Sequence, residues 1–249
     1  MGDVADTGKS TGSIELSAAH SGVRQIAMTR PEKRNALTSA MATDLAEAIQ
    51  KLDNDPAVQV IVLLGASGTF CAGADLNEMA SDDKISPRER YVADVPMERL
   101  LLNLAFCATP IIGVVQGHAV GGGMAIASLC TYVVAASDAV FAMPEVSVGL
   151  FPAALVPYVA TRVGTSRAVA WALSGRRVST EQAYSAGLVD EVCNSHEVME
   201  RATALAAEMA GRSPHIMRAA METRGRLMDL DGLTARRTAG RQIAALFWK

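Results

Sequence analysis

The sequence predicts an α/β fold whose C-terminal third is helical, and three observations lead there. Two uncharged runs rich in β-branched residues, VQVIVLLGA from Val58 and PIIGVVQGHA from Pro110, read as strands buried on both faces. Each is followed by small residues and glycines and then by a helix-forming segment, in SGTFCAGADLNEM and in VGGGMAIASLC. Beyond Pro152, apolar residues recur at helical spacing through AALVPYVATRVG, SRAVAWALS and STEQAYSAGL.

Taken in order, Met1 to Gly12 are small and polar without apolar period, which predicts disorder. The TGKS within them is no phosphate-binding loop, because the glycine required five residues before Gly8 is Asp3. IELSAAHSGVRQIAMT predicts two short strands around a turn at His20 to Gly22. From about Thr38, Met41, Leu45, Ala48, Ile49 and Leu52 mark one face of a helix, and VQVIVLLGA completes the order strand, strand, helix, strand. SDDKISPRE is the most polar interior segment and predicts a mobile loop. A helix from about Pro87 to Cys107 leads into the second buried strand, Gly121 to Gly123 open another helix, and TYVVAAS and AVFAM read as strands. The first order thus recurs in outline.

In the last third, Ser179 and Gln182 have capping-box spacing and LVDEV reads as a short strand. Ser213 before Pro214 predicts an N-cap and a helix to about Met228, followed by a last helix over about Leu233 to Phe247. The expected organisation is a disordered segment 1–12, a core 13–195 and a helical region 196–249.

The chain has 249 residues, half of them hydrophobic, and a net charge of −3, so it offers no global basic field for nucleic acid or anionic lipid. Leu100 to Ser137 contain no charged residue, yet Pro110 and the three glycines cut this stretch into pieces too short to span a membrane. Cys71, Cys107, Cys130 and Cys193 show no CxxC spacing and His20, His118, His196 and His215 are scattered. No metal site is expected. Nothing at the N-terminus reads as a signal peptide, and reduced thiols in a cytoplasmic protein are the expectation.

The two glycine loops share one design. Where a buried strand ends and a helix begins, backbone N–H groups are unpaired and carry partial positive charge, and glycine lets a ligand approach them. Two such loops meeting would form an oxyanion hole, although any one of them also serves simply as a tight turn. Glu145 in FAMPEVSVGLFP is the only acid between Asp138 and Glu181. Its apolar neighbours predict desolvation and a raised pKa, suited to proton transfer.

RPEKRNALT, GTFCAGADLNEM, GHAVGGGMAIA, AVFAMPEVSVGLFP and SGRRVSTEQAYSAGLVDEV resemble, in that order and spacing, the enoyl-CoA hydratase/isomerase (crotonase) superfamily. The resemblance runs from about Ile14 to the C-terminus and implies a crotonase-like spiral of ββα units with a helical C-terminal trimerisation region. It implies that the backbone N–H groups of Ala74 and Gly122 form the oxyanion hole for an acyl-CoA thioester, that Gly121 is among the CoA-binding positions, and that Glu145 is the catalytic acid/base. Lys33, Arg34 and Ala36 fall at positions along the CoA nucleotide, and Ala72, Asp75 and Leu76 along the pantetheine channel. A homotrimer, or a hexamer made of two trimers, is expected, with CoA entering as part of the substrate and no separate cofactor.

The sequence departs from that pattern at Ala125, where typical hydratases carry a first glutamate, and it ends at IAALFWK without the family's usual tail. An oxyanion hole fixes the chemistry as enolate formation on acyl-CoA, while one glutamate suits a proton shuttle and hence Δ3,Δ2-enoyl-CoA isomerisation. VGLFPAALVPYVATRVG, however, resembles methylglutaconyl-CoA-type hydratases, which keep only the second glutamate. Hydratase therefore stands first and isomerase second. A hydrolase or a non-catalytic acyl-CoA binder on the same scaffold is a further alternative, although no GxSxG elbow supports a serine hydrolase.

Overall fold

In the computed structural model, which describes residues 13–75, 78 and 96–228, the predicted alternation resolves into two sheets. The larger has six strands: β1 (Ile14–His20), β2 (Val23–Met28), β3 (Val60–Gly65), β4 (Ile111–Val115), β6 (Tyr132–Ala136) and β9 (Glu191–Cys193), in that spatial order. β1 and β2 form the antiparallel hairpin expected around Gly22, and every later neighbour joins in parallel. β5 (His118–Val120), β7 (Val140–Ala142) and β8 (Val178–Ser179) make the smaller sheet.

The run read as one strand from Pro110 to Ala119 is therefore two. It breaks at Gln116 and Gly117, where Gly117 adopts φ +58° and its missing Cβ would lie 2.5 Å from the Gly68 carbonyl. Only glycine fits that approach, and the bend hands the chain from one sheet to the other.

Helices cover the sheets with the faces their apolar spacing predicts. α1 (Ser39–Asp53) is capped by the Thr38 side chain, which accepts from the Met41 N–H, and it buries Met41, Leu45, Ile49 and Leu52. α2 (Pro96–Phe106) packs against it through Leu100, Leu101 and Leu104. α3 (Gly122–Leu129) is buried on every side, which explains its lack of a polar face. α4 (Val156–Val163), α5 (Thr165–Ser174) and α6 (Thr180–Ser185) follow, the last with the complete Ser179–Gln182 capping box.

The C-terminal part differs from expectation in detail. The strand near LVDEV is confined to Glu191–Cys193, and a separate helix, α7 (Val198–Ala210), precedes Ser213. Val198, Ala202 and Ala206, four residues apart, pack α7 onto β3, β4 and β6, so it belongs to the same hydrophobic core. Ser213 does precede α8 (Pro214–Leu227), but its side chain makes no capping hydrogen bond. Arg224 docks α8 by donating to the Ala105 carbonyl at 3.1 Å and the Leu129 carbonyl at 2.8 Å, at the C-terminal ends of α2 and α3. Residues 1–12, SDDKISPRE, the first part of the helix expected from Pro87 and the helix expected at Leu233 to Phe247 lie outside the described residues. No described helix is long and apolar enough to cross a membrane.

Candidate active site

Three segments, those that follow β2, β3 and β4 in the chain, converge, and backbone hydrogen bonds hold them together. The chain after β2 lies beside the first glycine loop: Ala72 N–H donates to the Arg34 carbonyl, Leu37 N–H to Gly73 and Asp75 N–H to Leu37, at 2.8–3.0 Å. The same loop pairs with the entry to β5, where Cys71 N–H donates to the His118 carbonyl and Val120 N–H to Cys71. A Cβ on Gly73 would lie 2.8 Å from the Val120 carbonyl and 3.7 Å from the Gly122 nitrogen. The two glycine loops are thus in contact.

This ladder decides where the Ala74 N–H points. Both polar groups of Leu37 serve Gly73 and Asp75, the neighbours of Ala74, so the Ala74 N–H is turned to the opposite side, and Ala74 itself is exposed. Gly122 is the first residue of α3, and its N–H is one of the donors that a helix start leaves without an intrahelical partner. Gly121 precedes it at φ 51°, ψ −116°, donating its own N–H to the Ala142 carbonyl. The Met97 Cε lies 3.0 Å from the position a Gly122 Cβ would take, with Leu37 at 3.8 Å, so both side chains wall this corner.

Glu145 stands at the start of a short turn, Pro144–Val148, directly after β7. Its Oε1 is 2.6 Å from where a Cβ on Gly121 would be, while Oε2 is buried and without a hydrogen-bond partner. Burial pushes its carboxyl above the ordinary carboxylate range, against a smaller opposing effect of its own backbone N–H. The lone acid anticipated from the sequence is therefore a desolvated carboxyl beside Gly121 and the start of α3.

Among the other expected residues, Lys33 and Arg34 are exposed on the turn at Pro31–Lys33, and Ala36 and Ala72 are half-buried. Asp75 is buried and directs Oδ2 to the Arg30 guanidinium at 3.0 Å. Leu76 lies outside the described residues. Ala125 is fully buried in α3, as are Met124 in that helix and Met143, so these methionines belong to the core. The buried thiols of Cys71 and Cys130 are pushed up to about 12 by desolvation, which leaves them inert small hydrophobes. Among the described residues no group of three or more His, Cys, Asp and Glu could hold a metal ion.

Sequence reasoning misses two organising residues, although both lie within RPEKRNALT. Fully buried Asn35, at φ 55°, accepts from the Arg30 N–H at 2.9 Å and donates to the carbonyls of Ala66 at 3.1 Å and Thr69 at 2.6 Å. Arg30 reaches both the Ala36 carbonyl and Asp75. The preference of asparagine for left-handed turns is the signal that could reveal the first. Nothing local signals the second, whose partner is 45 residues away.

The chain belongs to the enoyl-CoA hydratase/isomerase family, whose model matches residues 18–247. It is 36% identical over 198 residues to the 2,3-dehydroadipyl-CoA hydratase of Escherichia coli K12, covering 79% of this chain and 76% of that one. Among solved structures it is similar to an enoyl-CoA hydratase from Mycobacterium tuberculosis H37Rv, with TM-score 0.76 and 30% identity over 92% of this chain and 98% of that one. An enoyl-CoA hydratase/isomerase from Pseudoalteromonas atlantica T6c superposes at TM-score 0.83 with 26% identity, over 94% and 91% of the two chains. The fold is the crotonase spiral and the protein is an enzyme of this family.

Proposed function

We propose that this enzyme hydrates a 2-enoyl-CoA thioester, with the Ala74 and Gly122 N–H groups as oxyanion donors and Glu145 as the single acid/base. The observation that carries the reading is the Glu145 carboxyl set against Gly121, one residue from the Gly122 N–H, with its Oε2 buried and without a hydrogen-bond partner. In the first step Glu145 takes a proton from water as the water oxygen bonds to C3. The C2–C3 π electrons move toward the carbonyl, and the charge that develops on the thioester oxygen is held by the two N–H groups. The enolate then takes the proton back from Glu145 at C2, so that the elements of water have been added and the enzyme is unchanged.

Lys33, Arg34 and Ala36 are proposed to face the CoA nucleotide and Ala72 the pantetheine, with coenzyme A present as part of the substrate. The hydrogen bonds between the 34–37 and 72–75 segments support that grouping. Isomerisation of a 3-enoyl-CoA is the second reading, favoured by Ala125: with no acid there, Glu145 can move a proton from C2 to C4 without water. Crotonyl-, 3-enoyl- and 3-methylglutaconyl-CoA, followed for both products with wild type and Glu145→Gln, decide between them. Turnover of the wild type that falls about 10²–10⁴-fold in Glu145→Gln is the expected result. Full activity in that variant would remove Glu145 from the mechanism.

A trimer or a dimer of trimers in the cytoplasm is the proposed assembly and setting. The exposed apolar side chains of Val148, Phe151, Leu173, Tyr184, Val192 and Ile216 support self-association, and the four free thiols suit a reducing compartment. A monomer by light scattering at micromolar concentration would overturn the assembly.

A further inference from the structure

We infer that Arg30 is a positioning residue for the oxyanion site, acting through Asp75 to fix the Ala74 N–H, and that Asp75 is thereby committed to structure rather than available as a second base. The inference rests on the reading of Ala74 as an oxyanion donor. The Ala74 N–H lies in a short Ala-Gly-Ala segment with Gly73 at φ +92°, where the backbone is intrinsically free to turn. That peptide plane is held directly at the Gly73 carbonyl, which accepts from the Leu37 N–H at 2.8 Å, and beyond it by the anchors on either side, among them the Arg30 bond to the Ala36 carbonyl next to Leu37.

On the upstream side the anchor is the Ala72 N–H bond to the Arg34 carbonyl at 3.0 Å, followed by a weak contact of the Gly73 N–H with the Cys71 Sγ at 3.4 Å. On the downstream side are the Asp75 N–H bond to Leu37 and the Asp75 carboxylate on Arg30. The Arg30 and Asp75 side chains are only 19% and 11% exposed, so the pair is largely withdrawn from water, where removal of one partner is costly. Arg30 uses its fork to bind the Ala36 carbonyl as well, and its backbone N–H is held by fully buried Asn35, which also grips Ala66 and Thr69. One guanidinium therefore couples the segment proposed to meet CoA to the segment proposed to meet the thioester oxygen. Lysine cannot reproduce this two-pronged contact.

The test uses acetoacetyl-CoA, whose enolate absorbs in the near ultraviolet and accumulates when an oxyanion site stabilises it, beside hydration of a 2-enoyl-CoA. Arg30→Gln is expected to lower kcat about 10–10²-fold and to remove most of the enolate band while the Kd for acetoacetyl-CoA changes less than about threefold. Arg30→Lys should recover part of both losses, and Arg30→Gln/Asp75→Asn should be no worse than the more damaged single variant, because the two side chains act as one unit. A wild-type band and kcat in Arg30→Gln, a loss confined to Kd, or additive losses in the double variant would overturn the inference. Should Arg30→Gln not fold, the isosteric Asp75→Asn is measured in its place, with the same losses expected and the same wild-type behaviour overturning the inference. A wild-type enzyme with neither enolate band nor turnover would instead sink the oxyanion reading itself, whereas a wild-type band that survives in Arg30→Gln sinks the role of Arg30 alone.

Discussion

Replacing Gly121 by alanine should separate the proposed base from its site by a distance the structure sets. The new Cβ would stand 2.6 Å from Glu145 Oε1, where ordinary contact begins near 3.4 Å, so the carboxylate must retreat by roughly 0.8 Å. Gly121 is also held at φ 51°, ψ −116°, a conformation that a side chain adopts at a cost of about 1–3 kcal/mol. For a chain of this size that corresponds to a fall in Tm of roughly 2–12 °C. Misplacing a catalytic group by nearly an ångström costs on the order of 10²-fold in rate, and the same fall is expected in kcat for hydration. Affinity for the CoA portion should hold, because the Lys33 to Ala36 segment is untouched. The assay is initial-rate hydration together with calorimetric binding of a non-reactive acyl-CoA and thermal unfolding. A folded Gly121→Ala enzyme with kcat within twofold of wild type would show that the Glu145 position has no bearing on the reaction.

The raised pKa of Glu145 gives two linked expectations. Activity that needs the carboxylate should fall in acid starting at a higher pH than an exposed glutamate would dictate, as a pH–kcat profile would display. A carboxyl whose folded pKa lies above its unfolded value contributes stability when protonated and loses it as pH rises through the folded value. Glu145→Gln should therefore be more stable than wild type at neutral pH and lose that advantage in acid, which thermal melts across pH would reveal. Gly122→Pro deletes one N–H donor and should lower turnover about 10²–10³-fold in a folded enzyme, with unchanged turnover removing Gly122 from the site. Ala125→Glu, if it folds, should raise hydration over isomerisation on a short enoyl-CoA; an unaltered product ratio would count against the equivalence of that position with the family's first glutamate.

The parts of this fold legible in the sequence are those governed by local rules. The Thr38 cap, the Ser179–Gln182 capping box, the hairpin at Gly22 and the two uncharged strands each announce themselves within a few residues. The break between β4 and β5 does not, because what forces it is the Gly68 carbonyl, distant in sequence, pressing on Gly117. α7 is hidden among the polar residues that surround its short alanine stripe. In the site, Glu145 stands out as a solitary acid in an apolar run. Arg30 and Asn35 do not, since their meaning lies in carbonyls and a carboxylate that only the folded chain brings near.

The larger sheet has its strands in chain order, each new one added beyond the last. None of the described strands of this sheet has to be threaded between two that are already paired, so a chain emerging from the ribosome can extend a finished edge instead of reopening it. The site is assembled on the same schedule: residues 34–37 first, then 71–75, then Gly121 and Gly122, and Glu145 last. A nascent chain stalled before Pro144 would carry both proposed oxyanion donors and lack the proposed base. Nascent chains of graded length, probed by hydrogen exchange, should then gain protection strand by strand from β2 toward β9, and protection appearing first at β6 and β9 would contradict such growth.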